Sequence, residues 1–134
     1  MGMRTGTVAR RRSLYEEACE IIEHEYPDPL ELDDVARRLA TSRRQLQRAF
    51  AEIGGTSFRT HVARVRMRKA LELLREGRLA VREVANTVGY RQPAQFAKTF
   101  RRHHGAPPSS FRGPGAARAG PTGPAASAGA APAP

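Results

Sequence analysis

Two stretches of this chain carry the same pattern of apolar and small residues. Val35, Ala36 and Leu39 recur as Val84, Ala85 and Val88 at an offset of 49, and Leu46, Phe50 and Gly55 recur as Phe96, Phe100 and Gly105 at an offset of 50. One extra residue in the turn of the second copy accounts for the change of offset. Each copy reads as a short helix, a tight turn and a second helix. Ala36 and Ala85 are small where the two helices of each copy would cross closely. A duplicated helical unit limits the chain to an all-α architecture with two similar subdomains.

The residues around the repeat also read as helical. Ser13 with Glu16 makes a capping-box start for a first helix, followed by Leu14, Ala18, Ile21 and Ile22 at helical spacing and stopped by Pro27 and Pro29. The first copy spans about 32–55: a short helix over 32–40, then a second opened by Ser42 with Gln45 and ended by Gly54 and Gly55. A long linker helix is expected over 57–76, closed by Gly77. Its apolar set of Phe58, Val62, Val65, Leu71, Leu73 and Leu74 shows no sustained heptad, so it reads as core rather than as a dimer stripe. The second copy spans about 81–105, with Pro93 at the first position of its second helix, and a short turn follows near Phe111. The total is about seven helices within 13–112. Residues 1–12 are polar and basic, and 19 of the 22 residues in 113–134 are Gly, Pro or Ala. Both ends are expected to be disordered, because they have too little to bury to offset their ordering entropy.

Charge is distributed unevenly. The whole chain carries 23 basic and 13 acidic side chains, a net charge of +10. Residues 13–34 hold nine acidic groups and no Lys or Arg, whereas 35–112 hold 18 Lys or Arg against four Glu. This suits a protein with one face toward a polyanion and another turned away from it. Cys19 is the only cysteine, which excludes a disulfide framework and a cysteine-based zinc site and fits a reducing cytosol. No apolar run follows Arg10–Arg12 to make a signal peptide, and no stretch is long enough to span a membrane.

Wound at 100° per residue, the second helix of each copy has two unlike sides. In the first copy Leu46, Ala49, Phe50 and Ile53 cluster together, Arg44, Arg48 and Ala51 point the opposite way, and Gln47 lies on the flank. In the second, Phe96, Phe100 and His103 point inward, Ala94, Lys98 and Arg101 outward, with Gln95 on the flank. Outward Arg and Lys are also what an ordinary solvated surface shows. Their recurrence at matching positions within the basic part of the chain favours a binding surface. A linker helix of some twenty residues is about 30 Å long, close to the ~34 Å of one turn of DNA.

With these residues in place, the chain resembles the AraC/XylS family of bacterial transcription regulators from about Ser13 to Arg112. The first reader is LDDVARRLATSRRQLQRAFAEIGG and the linker TSFRTHVARVRMRKALELL, with Arg66, Ala70, Leu73 and Leu74 in the family's frame. The second reader, VREVANTVGYRQPAQFAKTFRRHHGAPPSSFR, keeps the Ala-x-x-x-Gly-Tyr spacing, both Phe residues and the closing Gly-x-x-Pro-x-x-Phe-Arg. Departures are His61 at a usual aromatic position, Ala80 and Gln92 at helix starts, Ala94 for a common Ser and Lys98 for a common Arg. The resemblance implies a homeodomain-like pair of helix-turn-helix units. It also implies a sequence-specific regulator acting on double-stranded DNA in the bacterial cytoplasm and nucleoid, with no enzymatic activity. Most members carry an additional effector-binding or dimerising domain, for which this chain has no room. A stand-alone, monomeric member is therefore expected, and no small-molecule ligand, cofactor or metal is evident.

The residues expected to read bases are Arg44, Gln47 and Arg48 in one major groove and Arg91, Gln92, Gln95 and Lys98 in the other. Arg can grip guanine O6 and N7 with two hydrogen bonds, and Gln can pair with adenine N6 and N7. Ala94 and Ala97 stand where the first copy has Arg44 and Gln47, so the first reader has more hydrogen-bonding capacity. Ser42, Arg66, Arg101 and Arg102 are candidates for phosphate contact, Arg66 being equally suited to a buttressing role. The acidic first helix either supports the first subdomain, the favoured role, or docks RNA polymerase. Rival readings are a nonspecific nucleoid-associated protein and a DNA-binding module that works with a separate effector or repair protein. Cys19, among apolar positions of an acidic helix, is a poor candidate nucleophile.

Overall fold

The computed structural model describes residues 2–113. The Gly/Pro/Ala-rich tail foreseen at the C-terminus lies, from residue 114 onward, outside the described residues. Six α-helices and no strand occur among the described residues: α1 (Gly2–Glu25), α2 (Leu32–Arg38), α3 (Arg43–Ala49), α4 (Phe58–Glu76), α5 (Val81–Thr87) and α6 (Pro93–His104). A π-helical turn, Phe50–Gly54, continues α3, and a 3₁₀ turn, Pro108–Phe111, follows α6. The chain divides into two compact units between Val65 and Arg66, a boundary inside α4.

In the first unit, Leu14, Ala18 and Ile22 recur every fourth residue of α1 and so line one face. They pack with Val35 and Ala36 of α2, Leu46, Ala49 and Phe50 of α3 and its π turn, and Phe58, Val62 and Val65 of α4. Phe50 lies at the centre, with ring centroids of Tyr15 at 5.1 Å and of Phe58 and His61 at 5.5 Å. His61 thus adds its ring to the packing around Phe50. The Arg38 guanidinium grips both carboxylate oxygens of Glu25 at 2.8 and 2.7 Å, holding that carboxyl below its usual range.

One boundary departs from the sequence reading, which left residues 1–12 without structure and began the first helix at Ser13. In the structure α1 begins at Gly2, and the Ser13 hydroxyl, now inside the helix, donates to Glu17 at 3.2 Å rather than capping. A capping pair marks a helix start only where the chain before it leaves the helix. Here Arg11 is half-buried and ion-paired to Glu52 at 2.6 Å, a tertiary partner for the added turns.

The second unit packs Met67, Ala70 and Leu74 of α4 with Val84, Ala85 and Val88, and with Phe96 and Phe100 of α6, all buried. Met67 and Ala70 were missing from the apolar set expected for α4, while Leu71 and Leu73 prove only half-buried. The closing segment folds back on this core. Pro108 is buried, Phe111 lies 5.5 Å from Phe100, and the Gly113 N–H donates to the Leu74 carbonyl at 2.9 Å.

The two copies share one turn. After α2 the Leu39 and Thr41 N–H groups donate to the Val35 and Ala36 carbonyls at 3.0 and 2.9 Å; after α5 Val88 and Tyr90 donate to Val84 and Ala85 at the same distances. The residue between is left-handed in both, Gly89 at φ 103° and Ala40 at φ 54°. This backbone region suits glycine and strains alanine through its Cβ. Ala40→Gly is therefore expected to stabilise the first unit by about 0.5–1 kcal/mol, read as a raised urea midpoint. A lowered midpoint would contradict the strain.

Candidate nucleic-acid interface

The first candidate surface is built on α3. Its start is fixed by Ser42, whose Oγ accepts the Gln45 N–H at 3.1 Å. With one side of α3 committed to the core through Leu46, Ala49 and Phe50, the helical period turns Arg44, Gln47 and Arg48 to solvent, and all three are exposed. Arg48 places Nε 3.4 Å from Glu52 Oε2, one helical turn on. Arg43, which the sequence reading passed over, is also exposed and lies 3.2 Å from Asp33 of α2.

The second surface repeats the design on α6. Phe96, Thr99 and Phe100 are buried, and Arg91, Gln92, Ala94, Gln95 and Lys98 are exposed. Pro93 sets the first turn, and the Gln92 carbonyl accepts the Gln95 and Phe96 N–H groups at 3.1 Å each. The inward histidine is not His103 but His104. His103 is exposed, whereas the His104 ring lies 4.4 Å from Phe100 and its Nε2 3.1 Å from the Met67 carbonyl. The buried stripe follows the i, i+4 row from Phe96 through Phe100, which reaches 104 and leaves 103 on the flank.

The candidates for phosphate contact fall into two kinds. Arg101 and Arg102 are exposed in the last turn of α6, and Ser42 is exposed with its hydroxyl engaged in the cap. Arg66 is half-buried, with its guanidinium over the Tyr90 ring at 5.7 Å. That packing gives it a structural task inside the second unit.

Besides Arg43, the sequence reading gives no site role to Glu52, Arg11 or Tyr15. Glu52 sits between Arg48 and Arg11, with Oε1 2.6 Å from Arg11 Nη1 and Oε2 3.4 Å from Arg48 Nε. The Arg10–Arg12 run had been given no structured role, yet Arg11 is ordered by this pair. The i, i+4 spacing of Arg48 and Glu52 is a legible signal, but the partner 41 residues away is not. Tyr15 strengthens the same junction, since a Cβ added at Gly54 would come within 2.5 Å of its Cε1.

Cys19 is half-buried in α1. Burial pushes its thiol above the usual range, a hydrogen bond with Tyr15 acts the other way, and the Glu23 and Glu16 carboxylates push it up again. Little thiolate forms at neutral pH, so Cys19 is expected to react with thiol reagents more slowly than free cysteine. A rate equal to or above that of free cysteine would contradict this and restore Cys19 as a candidate nucleophile. Among the described residues no group of three or more His, Cys, Asp or Glu is placed to hold a metal ion, and no helix is long and apolar enough to cross a membrane.

Comparison with known proteins finds helix-turn-helix relatives. A family model described as a helix-turn-helix domain matches residues 35–113. The Msm operon regulatory protein of Streptococcus mutans is 32% identical over 93 residues, covering 69% of this chain, which spans 34% of that protein's length. A transcriptional regulator from Chromobacterium violaceum, described among AraC-type DNA-binding domain-containing proteins, superposes with a TM-score of 0.72 at 28% identity, covering 84% of this chain and 98% of its own. The DNA-binding domain of AdpA, solved in complex with a target DNA, superposes with a TM-score of 0.69 at 28% identity, covering 78% of this chain and 93% of its own.

Proposed function

Because this chain belongs to the AraC-type family of helix-turn-helix domains, we propose that it is a sequence-specific DNA-binding transcription regulator. In this reading α3 and α6 enter successive major grooves of a bipartite, non-palindromic promoter site, one chain per site, in the bacterial nucleoid. The observation that carries it is the duplicated surface. In each copy the same helical side is buried under a Phe and the opposite side exposes a row of hydrogen-bonding cations and amides. The relative solved on its target DNA, with 28% identity, supports the same partner.

The roles follow from the chemistry of the exposed groups. Arg44, Gln47 and Arg48 read one half of the site; Arg91, Gln92, Gln95 and Lys98 read the other. Ser42, Arg101 and Arg102 hold phosphates, which fixes register without reading sequence. Arg66, whose guanidinium lies over the Tyr90 ring, buttresses the second unit. The linker helix α4 has 19 residues, about 28 Å at the α-helical rise, the order of length that two grooves one turn apart require. The buried face of α1 makes that helix a structural member of the first unit. Its exposed Glu16, Glu17, Glu20 and Glu23 form an acidic surface that phosphates repel and that RNA polymerase could use for docking.

Selection of binding sites from random duplexes tests this reading. The expected result is an asymmetric two-part site, with more sequence information in the half read by α3. A symmetric site or equal information in both halves would overturn the proposed arrangement. Equal affinity for selected and random duplexes would point to a nonspecific nucleoid protein instead.

A further inference from the structure

The Arg11–Glu52–Arg48 triplet ties α1 to the reading face of α3, all within the first unit. Glu52 contacts Arg48 through Nε, at 3.4 Å. An end-on grip on guanine O6 and N7 uses the two terminal nitrogens of a guanidinium, and this contact leaves both of them available. The second carboxylate oxygen of Glu52 is taken by Arg11 Nη1 at 2.6 Å. Arg11 is itself packed in place: its side chain is only 18% exposed and its Nε is shielded from solvent with no hydrogen-bond partner. Arg11 thus fixes the carboxylate, and the carboxylate in turn limits the orientations open to Arg48, whose side chain is 53% exposed. Arg11 also offsets the negative charge that Glu52 would otherwise bring close to phosphates, so the triplet carries a net charge of +1.

We propose that Glu52 is a positioning residue that sets Arg48 for base recognition, and that Arg11 on the first helix completes the arrangement by holding Glu52. The proposal rests on the reading of Arg48 as a base-contacting residue. It makes α1 a determinant of specificity without a DNA contact of its own. Holding a long side chain in its bound orientation lowers the entropy cost of the contact it makes, so the effect is confined to the base pair that Arg48 reads.

The test uses the full chain with Glu52→Gln, Arg11→Met, Arg11→Lys, Arg48→Ala and the double variant Glu52→Gln with Arg48→Ala. Affinities for a selected duplex and its single-base variants are measured at one salt concentration, with thermal unfolding followed in parallel. Glu52→Gln is expected to lower discrimination at the Arg48 base pair by about two- to tenfold, the lower part of the range of coupling within one ion-pair network, as suits an exposed pair. Affinity for unrelated DNA should rise, since a negative charge is removed. Arg11→Met should lose the same discrimination and Arg11→Lys retain more of it. In the Arg48→Ala background Glu52→Gln should change discrimination no further. A uniform change across all duplexes, an additive double variant, or a Glu52→Gln protein that no longer folds would each overturn the positioning role. Failure of the underlying reading shows separately, as an Arg48→Ala protein that keeps every base preference, and the proposal falls with it.

Discussion

Replacing Phe50 by alanine is expected to destabilise the first unit by about 3–5 kcal/mol, as removal of a fully buried aromatic does. Phe50 has no exposed surface and sits where α3 passes into its π turn. The edges or faces of Tyr15, Phe58 and His61 meet its ring at centroid distances of 5.1, 5.5 and 5.5 Å. Truncation leaves a cavity bordered by α1, α3 and α4, and such rings lose their mutual contacts as well as the transfer term. Because whole domains are stable by only about 5–15 kcal/mol, such a loss removes a large share of what holds the recognition helix of this unit in place. Urea unfolding followed by circular dichroism measures the effect. A loss under about 1 kcal/mol would contradict the central place given to this ring, since that is the cost of an ordinary substitution.

Arg48→Ala is expected to leave the fold intact and to cost about 1–3 kcal/mol in binding at a single base pair, which is roughly a five- to 150-fold loss of preference there. Arg48 is exposed and its contact with Glu52 is long, so little stability is at stake. The comparison is Arg101→Ala. Loss of a phosphate contact should weaken all sequences alike and reduce the slope of affinity against salt by about one counterion. Competition of single-base duplex variants at matched salt separates the two patterns. Arg48→Ala with unchanged preference at every position would remove Arg48 from the reading set.

Much of the fold was legible because its punctuation is local. Ser42 and Ser57 cap helices through their own hydroxyls, Pro93 opens α6, and Gly77 and Gly105 take the left-handed conformation at helix ends. The duplicated apolar positions were legible for the same reason. Val35, Ala36, Leu46 and Phe50 and their counterparts Val84, Ala85, Phe96 and Phe100 are all buried. What was not legible depends on partners distant in sequence or on backbone geometry. The early start of α1 is tied to the pairing of Arg11 with Glu52. Ala40 carries no residue-type signal for φ 54°; only its alignment with Gly89 reveals it. The exchange of His104 for His103 follows from one step along the helix, too fine for an apolar pattern that had already ended at Phe100. Of the site, the exposed rows on α3 and α6 were visible from helical winding, whereas Glu52 was hidden among ordinary surface charges until its two arginines were seen together.

The most direct test of the central claim is methylation interference on a selected duplex, since methylation of guanine N7 blocks contacts in the major groove alone. Two clusters of interference about 10 base pairs apart on one face of the helix are expected, the stronger one weakened by Arg48→Ala and the other by Lys98→Ala. A single cluster, or two that respond to the same substitution, would contradict recognition by a pair of separate helices.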